Sequence, residues 1–439
     1  MTSLLVRALI LGNTALWMAQ FGREGVLRLD HLYLPLGYTV GYVALFAYLR
    51  WRGRGPVAEP ILLAAVCALT GIGLAALARI DPAIAARQLR WLYLGLIALA
   101  ALAHAPVWQW VRAYTYVWAA AGLFLLAWTA LWGVEIRGAR SWVSLGPFGF
   151  QPIEFVKILF LFALSSYLAE TRLFLAGGRG RLLGGFSLRY VGPLLAMALL
   201  FTAILTLQRD LGAALLLFGL AVAMVTIATA SLRYAAAGLG LIAVAAVGAA
   251  WAFDHVRTRF LVWLDPWRLA EGRGYQLVES LFALGAGGFV GTGWGQGMAF
   301  RIPVVETDFI FSLLVEETGF IGAAGVLFLL AVMSLRILAA AADPRQDDVP
   351  RLGAAGIAVL FALQSFLIVG GVTRLLPVTG VTLPLVSYGG SSLVASFIQL
   401  GVAYNLFARP AAEGGARRAG RHPGRAPWPG ARDPAKVVP

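Results

Sequence analysis

The sequence predicts an all-α polytopic membrane protein, and three observations lead there. Of its 439 residues, 60% are hydrophobic and 13% charged, and the mean hydropathy is +0.80; a soluble domain cannot hide that much apolar surface. The apolar residues fall into spanning-length runs that begin near Leu4, Leu34, Ile61, Leu92, Tyr116, Phe155, Val191, Leu211, Tyr234, Phe309, Leu352 and Leu393. Each crossing needs about 20 residues, so these runs give about twelve helices. Arginines, finally, gather in alternate gaps between the runs.

Arg50, Arg52 and Arg54 follow the second run. Arg172, Arg179, Arg181 and Arg189 follow the sixth, Arg233 the eighth, and Arg336, Arg345 and Arg351 the tenth. The tail from Arg409 adds Arg417, Arg418, Arg421, Arg425, Arg432 and Lys436. If the helices alternate, all of these lie on one side, which the positive-inside rule makes cytoplasmic, with both termini there. Arg79, Arg87 and Arg90 count against the scheme by falling on the outer side; the last two can snorkel or meet an anionic substrate. Residues 409–439, rich in Pro, Gly and Arg, have the composition of a disordered basic tail.

Several function classes drop out. The single cysteine, Cys67, excludes a disulfide framework and any CxxC site. Four dispersed histidines, His31, His104, His255 and His422, offer no ligand spacing. No metal site is therefore expected from His and Cys; carboxylates could still hold Mg²⁺, although no cluster of them demands it. The formal charge of +14 fits arginine-rich loops beside anionic lipid rather than nucleic acid. The first apolar run carries no convincing signal-peptide cleavage site.

The longest interruption runs from Asp254 to Asp308, a charged stretch interleaved with Trp263, Trp267, Tyr275 and Trp294. Loops of that length are usually functional. Asp308 then opens the apolar run FIFSLLV directly, and an ionisable group at such a lip reads as functional. Upstream, GARSWVSLGPFGFQPIEFVK places Pro152 at a helix start and Glu154 and Lys157 on one helix face. That pair reads either as a structural ion pair or as part of a site. Trp142 is either an interfacial anchor or a platform for a sugar ring, with Arg140 meeting phosphate. In LQRDLG, Asp210 reads as a helix cap favoured by the dipole. The stretch LLPVTGVTLPLVSYGGSS cannot continue as a lipid-facing helix, so it must line a cavity or be buried; Ser387, Tyr388, Ser391 and Ser392 give it hydroxyls. GGFVGTGWGQG lacks the strand and helix of a dinucleotide fingerprint and has no GK[ST].

Taken together, GARSW with LGPFGFQPIEFVK, the QRDLG turn, GYQLVESLFALGAGGFVGTGWGQG, ETDFIFSLLVEETGFIG and LLPVTGVTLPLVSYGGSS resemble the SEDS family, the FtsW/RodA type of peptidoglycan glycosyltransferase. The resemblance implies a bundle of about ten core helices over residues 56–408 with a large extracytoplasmic loop at 254–308. Residues 1–55 are then an additional N-terminal helix pair, which leaves the orientation unchanged. The implied activity is polymerisation of lipid II into glycan strands at the outer face of the bacterial cytoplasmic membrane. Implied partners are lipid II and the nascent strand, membrane lipid, and a class B penicillin-binding protein.

Carried over by motif, Asp308 matches the family's catalytic aspartate, and Glu154 and Lys157 its sensitive pair. Arg140, Trp142, Asp210, Arg257, Arg259, Gln276, Glu306, Ser387 and Ser391 complete the expected substrate-binding set. The chain departs from the family at Ile153 (usually Ser), Arg209 (Pro), Val304 (an acid), Ile368 (often Asn) and Arg374 (often Gly), with Glu306 placed to compensate for Val304. Glycosyl transfer from a lipid diphosphate needs a base, cations for the leaving group, and alignment. Asp308 is the expected base, and Arg140, Lys157, Arg257 and Arg259 are the expected phosphate contacts. Two other readings exist. A lipid flippase would put its site near the midplane between repeats, and a non-catalytic scaffold would not require Asp308.

Overall fold

The computed structural model describes residues 3–24, 32–53, 57–136, 139–145, 148–177 and 188–408. The tail expected over 409–439, together with Arg54, Arg179 and Arg181, lies outside them. Helices come in the order α1 (Ser3–Glu24), α2 (Tyr33–Arg52), α3 (Pro60–Ile80), α4 (Pro82–Leu102), α5 (Val107–Ala113), α6 (Thr115–Trp132), α7 (Pro152–Gly177) and α8 (Leu188–Leu207). They continue with α9 (Leu211–Thr229), α10 (Leu232–Ala252), α11 (Asp254–Leu264), α12 (Tyr275–Gly287), α13 (Ile310–Ala341), α14 (Asp348–Val372) and α15 (Gly390–Ala408). Among the described residues, ten are long and apolar enough to cross a membrane. The expectation of about twelve holds for long helices; in α1 the apolar part counted, Ser3–Ala19, is shorter than the spanning length, and α2 is not among the ten.

Local sequence explains where these helices begin. Pro60, Pro82 and Pro152 stand in first turns, where the missing N–H costs nothing. Asp81 caps α4 by accepting from Ala83 N at 2.8 Å, and one residue thereby turns the chain from α3 into α4. α3, α7, α14 and α15 are mostly buried, whereas α6, α8 and α10 leave most of their surface free. The exposed residues on α10, among them Leu239, Val244, Val247 and Trp251, make it a lipid-facing helix.

The all-α polytopic fold stands, and two details add to it. In the connection between α6 and α7, β1 (Val134–Ile136), β2 (Ala139–Leu145) and β3 (Phe148–Phe150) form a small antiparallel sheet. Its signal was the two-residue period of ARSWVSL, which buries Ser141 and Val143 and exposes Arg140 and Ser144. The stretch 254–308, read as a loop, holds α11, α12 and two 3₁₀ turns, Trp267–Leu269 and Ala299–Arg301. α12 forms because Leu277, Val278, Ser280, Ala283 and Gly287 share its buried side.

α13 is broken near its start. Gly319 has φ 68° and ψ −170°, a conformation reserved in practice for glycine. The glycine-rich segment after α12 fills the break: Phe320 N and Ile321 N donate to the carbonyls of Gly288 and Phe289 at 3.0 and 3.2 Å. Arg79 ties α3 to the same place, donating to Glu317 Oε1 at 3.1 Å and to Gly295 O at 2.9 Å. This accounts for one of the three arginines that opposed the orientation scheme.

α1 and α2 pack on α3 and α4. A Cβ on Gly71 would lie 2.6 Å from Gly12 Cα, so only glycine lets α1 approach α3 this closely. Beside it, Tyr38 donates to Cys67 O at 2.5 Å and Asn13 Nδ2 to Thr39 Oγ1 at 2.9 Å.

Candidate functional site

The sheet, the α8–α9 turn, α11, the head of α13 and the 373–389 segment all meet at one end of the bundle, hereafter the sheet end. Arg140 N donates to Gln208 O at 3.2 Å and joins the sheet to the α8–α9 turn. Gln151 N donates to Ser391 Oγ at 3.0 Å and joins the start of α7 to α15. Tyr388 N donates to Glu306 O at 2.8 Å, and Ser387 Oγ to Thr307 O at 2.6 Å. These two bonds lock the 373–389 segment to the residues just before Asp308. Gln88 on α4 reaches Ser387 O at 3.2 Å from the other side.

At the centre stands Arg259 on α11. Its Nη1 donates to Val378 O at 3.0 Å and Thr379 O at 3.2 Å. Burial pulls its guanidinium below the usual value, and the nearby charges of Asp210 and Asp308 push it back up. Asp308 is half-buried, and a Cβ on Gly380 would stand 3.8 Å from its Oδ2. The 373–389 segment thus forms one wall beside Asp308. Asp210 caps α9 by accepting from Ala213 N at 3.1 Å. Burial raises its carboxyl above the usual range, opposed first by the Ala213 amide and then by Arg259.

Glu154 and Lys157 form a buried pair at 2.7 Å, with side chains 9% and 3% exposed. Lys157 Nζ also donates to Gln364 Oε1 at 3.2 Å. Gln364 Nε2 passes the chain to Thr382 O at 2.9 Å, and Thr382 Oγ1 meets Ser392 Oγ at 2.8 Å. One polar thread therefore joins α7, α14, the 373–389 segment and α15. In this conformation Lys157 has no face open to a diphosphate. Glu154 and Lys157 in turn act electrostatically on Asp210, so the pair and the Arg259 group are neighbours.

The other expected residues surround this centre. Arg257 is exposed on α11. Arg140 is exposed on β2, with Nη1 3.5 Å from Ala130 O. Trp142 lies half-buried over Gly149. Gln276 Nε2 donates to Pro303 O at 3.2 Å, which holds α12 to the approach to Asp308. Among the described residues, no group of three or more His, Cys, Asp or Glu side chains is placed to hold a metal ion.

Sequence reasoning passed over Gln88, Gln364, Arg79, Glu316 and Glu317. Gln364 was visible as a polar residue within an apolar run, a pattern that marks inward-facing positions, whereas Gln88 stands between Arg87 and Arg90 and gave no such signal. Glu316 accepts from Ala299 N at 2.6 Å and, with Glu317, fixes the glycine-rich segment. Three departures from the family pattern also share a backbone feature: Arg209, Val304 and Arg374 have φ of 64°, 66° and 61°. Proline cannot take such a value, and Arg209 N donates to Thr206 O at 3.0 Å, a bond proline lacks. The turn before Asp210 is therefore built differently from one carrying proline.

Comparison with known proteins fits this arrangement. The FTSW_RODA_SPOVE family of cell cycle proteins matches residues 62–410. Peptidoglycan glycosyltransferase RodA of Mycobacterium tuberculosis is 38% identical over 386 residues, covering 83% of this chain and 81% of that protein. Stage V sporulation protein E of Bacillus subtilis is 34% identical, covering 73% of this chain and 86% of its own length. Among solved structures, a chain of a peptidoglycan synthase complex superposes with a TM-score of 0.65 at 32% identity, covering 79% of this chain and 96% of that one. Thermus thermophilus rod shape determining protein RodA gives 0.57 at 29%, covering 79% and 95%. With four-fifths of its length matched and the motif residues gathered at one end of a helical membrane bundle, the chain belongs to the FtsW/RodA/SpoVE family.

Proposed function

We propose that this chain is a peptidoglycan glycosyltransferase, the activity named for its RodA relative, and that it polymerises lipid II into glycan strands. The observation that supports the site assignment is the nearness of Asp308 both to the Arg259 guanidinium and to the 373–389 wall. There Asp308 acts as general base and takes the proton from the acceptor sugar hydroxyl. The freed oxygen attacks the anomeric carbon of the donor, the carbon–oxygen bond to phosphate breaks, and polyprenyl diphosphate leaves with the electron pair. Arg259 places positive charge beside the carboxylate, and the exposed Arg257 and Arg140 meet the leaving diphosphate. Trp142 supplies an apolar platform for a sugar. Gln276, Glu306, Ser387 and Ser391 hold the walls through the bonds given above. Glu154 and Lys157 act through Gln364 and Thr382 as positioning residues. Any divalent cation would share the leaving-group charge with the arginines.

The arginine pattern puts the sheet end outside the cytoplasmic membrane and both termini inside. A cysteine at Thr307→Cys should react with an impermeant thiol reagent in intact cells, and one at Ala412→Cys should not; the native Cys67 is buried and gives little background. A class B penicillin-binding protein is the proposed partner, since a similar chain comes from a peptidoglycan synthase complex. The decisive experiment incubates purified protein with labelled lipid II, with and without that partner. Polymer is expected. Its absence under both conditions, from folded protein, would favour a flippase or scaffold.

A further inference from the structure

The N-terminal helices α1 and α2 precede residues 62–410, the part that matches the family, yet they pack as closely as the core does. α1 lies behind α3, where a Cβ on Gly71 would stand 2.6 Å from Gly12 Cα and 2.9 Å from the Tyr38 hydroxyl. Tyr42, fully buried, joins Thr70 on α3 through its hydroxyl at 2.7 Å. α2 lies behind α4, where Tyr93 donates to Gly37 O at 2.7 Å. A Cβ on Gly37 would stand 2.8 Å from Leu89 Cδ2. Packed this tightly, the pair has little room to slide against the core.

The opposite faces of α3 and α4 meet the 373–389 wall. Gly73 lies two residues, about 200°, round the helix from Gly71, and a Cβ there would stand 2.7 Å from Val386 O. At this level α3 is a slab with bare backbone on both faces, α1 against one and the wall against the other. On α4, Gln88 donates to Ser387 O at 3.2 Å and accepts from Gly389 N at 3.3 Å. The cavity left among Thr70, Gln88, Leu385 and Val386 is about 10 Å³, no more than one water. Leu385 holds a φ of 65° at this contact, strain that persists only where the surroundings fix it. A displacement of α3 or α4 therefore passes into the wall.

We propose that the α1–α2 pair is a backing plate for the Asp308 site. It fixes α3 and α4, and Gly73 and Gln88 carry that position to residues 385–389. The bonds from Ser387 Oγ to Thr307 O and from Tyr388 N to Glu306 O then carry it to the residues before Asp308. Gly71, Gly73 and Tyr42 are positioning residues, which act through the wall and touch no substrate. The proposal rests on Asp308 as the reacting centre, while the hold of the pair on the wall can be read without any reaction.

Full-length Gly71→Ala and Tyr42→Phe would be compared with Leu175→Ala, which removes a buried side chain at the far end of α7. Amide exchange is read at Tyr388 and Gly389, whose N–H groups hold the wall to Glu306 and Gln88. It should quicken about tenfold in Gly71→Ala, where α1 is forced away, and about threefold in Tyr42→Phe, which loses one neutral hydrogen bond. In Leu175→Ala it should keep the wild-type rate despite a lowered unfolding temperature. In lipid II polymerisation, kcat should fall about tenfold in Gly71→Ala, the cost of a misplaced base. KM should stay within about twofold, since alignment in the transition state is what is lost. Tyr42→Phe keeps the shape of the core and carries the test if Gly71→Ala fails to fold. Unchanged exchange in both variants, or an equal rise in Leu175→Ala, would overturn the proposal. So would a normal kcat in a variant whose exchange has risen. Wild-type protein that makes no polymer would instead remove the catalytic reading, and exchange alone would then decide whether the pair holds the wall.

Discussion

The two ends of the bundle handle charge in opposite ways. At the end away from the sheet, two acids have plain partners: Glu59 receives Arg336 through two bonds at 2.9 and 2.8 Å, and Asp348 receives Arg172 at 2.7 Å. At the sheet end, Asp210 and Asp308 share Arg259, Lys157 divides itself between Glu154 and Gln364, and α13 breaks at Gly319. Non-glycine residues there hold left-handed backbone at Arg209, Val304, Arg374 and Leu385. Strain of this kind costs about 1–3 kcal/mol at each position and persists where the surroundings demand it. One end is arranged to hold the bundle together, and the other keeps charge poised over an irregular wall. The contrast makes different predictions for substitutions at each end.

The largest effect should come from Asp308→Asn. The amide keeps the size but cannot accept a full proton at neutral pH, so polymerisation of lipid II should fall by about 10² to 10⁴. Partner co-purification should be unchanged. Near-normal polymer would remove Asp308 from the mechanism and with it the special standing of the sheet end.

Next comes the Glu154–Lys157 pair. Lys157→Met leaves a buried carboxylate unpaired and should destabilise by about 3–5 kcal/mol, seen as a lowered unfolding temperature in detergent. The exchange Glu154→Lys with Lys157→Glu retains the ion pair but takes the ammonium from Gln364 Oε1. It should fold and remain inactive. Recovered polymerisation would show that the pair serves packing alone.

How much of this was legible beforehand follows from how local each signal is. Apolar runs and arginine placing report directly on single helices, so the spans and their alternation could be read from the chain. Asp308 could be singled out because a carboxylate at the start of an apolar run is rare. The links from Lys157 to Gln364, from Arg79 to Glu317 and from Arg259 to the carbonyls of 378 and 379 join residues 119 to 238 positions apart. No pattern along one chain specifies such pairings. The sheet was missed for a different reason: its strands are three to seven residues long, and their alternation is brief beside the surrounding helices.

Arg374→Gly sharpens the comparison without touching the chemistry. Glycine takes φ 61° freely, which relieves strain. The change also removes the bonds from Arg374 Nε and Nη2 to Trp263 O and Leu264 O at 2.9 and 2.5 Å. The opposing terms, each about 1–2 kcal/mol, should nearly cancel in global stability. Amide exchange at the end of α11 should still rise, because that helix loses its clamp to the 373–389 wall. Unchanged exchange would mean that α11 is held by Arg259 and Trp263 alone.

The smallest effect belongs to the opposite end. Glu59 is buried while the Arg336 side chain is 39% exposed, so solvent already screens much of their attraction. Glu59→Gln keeps one acceptor for the guanidinium and leaves no buried charge behind. The loss should be about 1 kcal/mol or less, as for partly exposed ion pairs generally. Polymerisation per folded molecule should not change, because nothing at the sheet end bonds to this pair. The measurement is lipid II turnover normalised to the monodisperse fraction, beside thermal unfolding. A large loss of turnover with normal stability would mean that charge at this end reaches the Asp308 site through the helices, and the division of labour between the two ends would then fail.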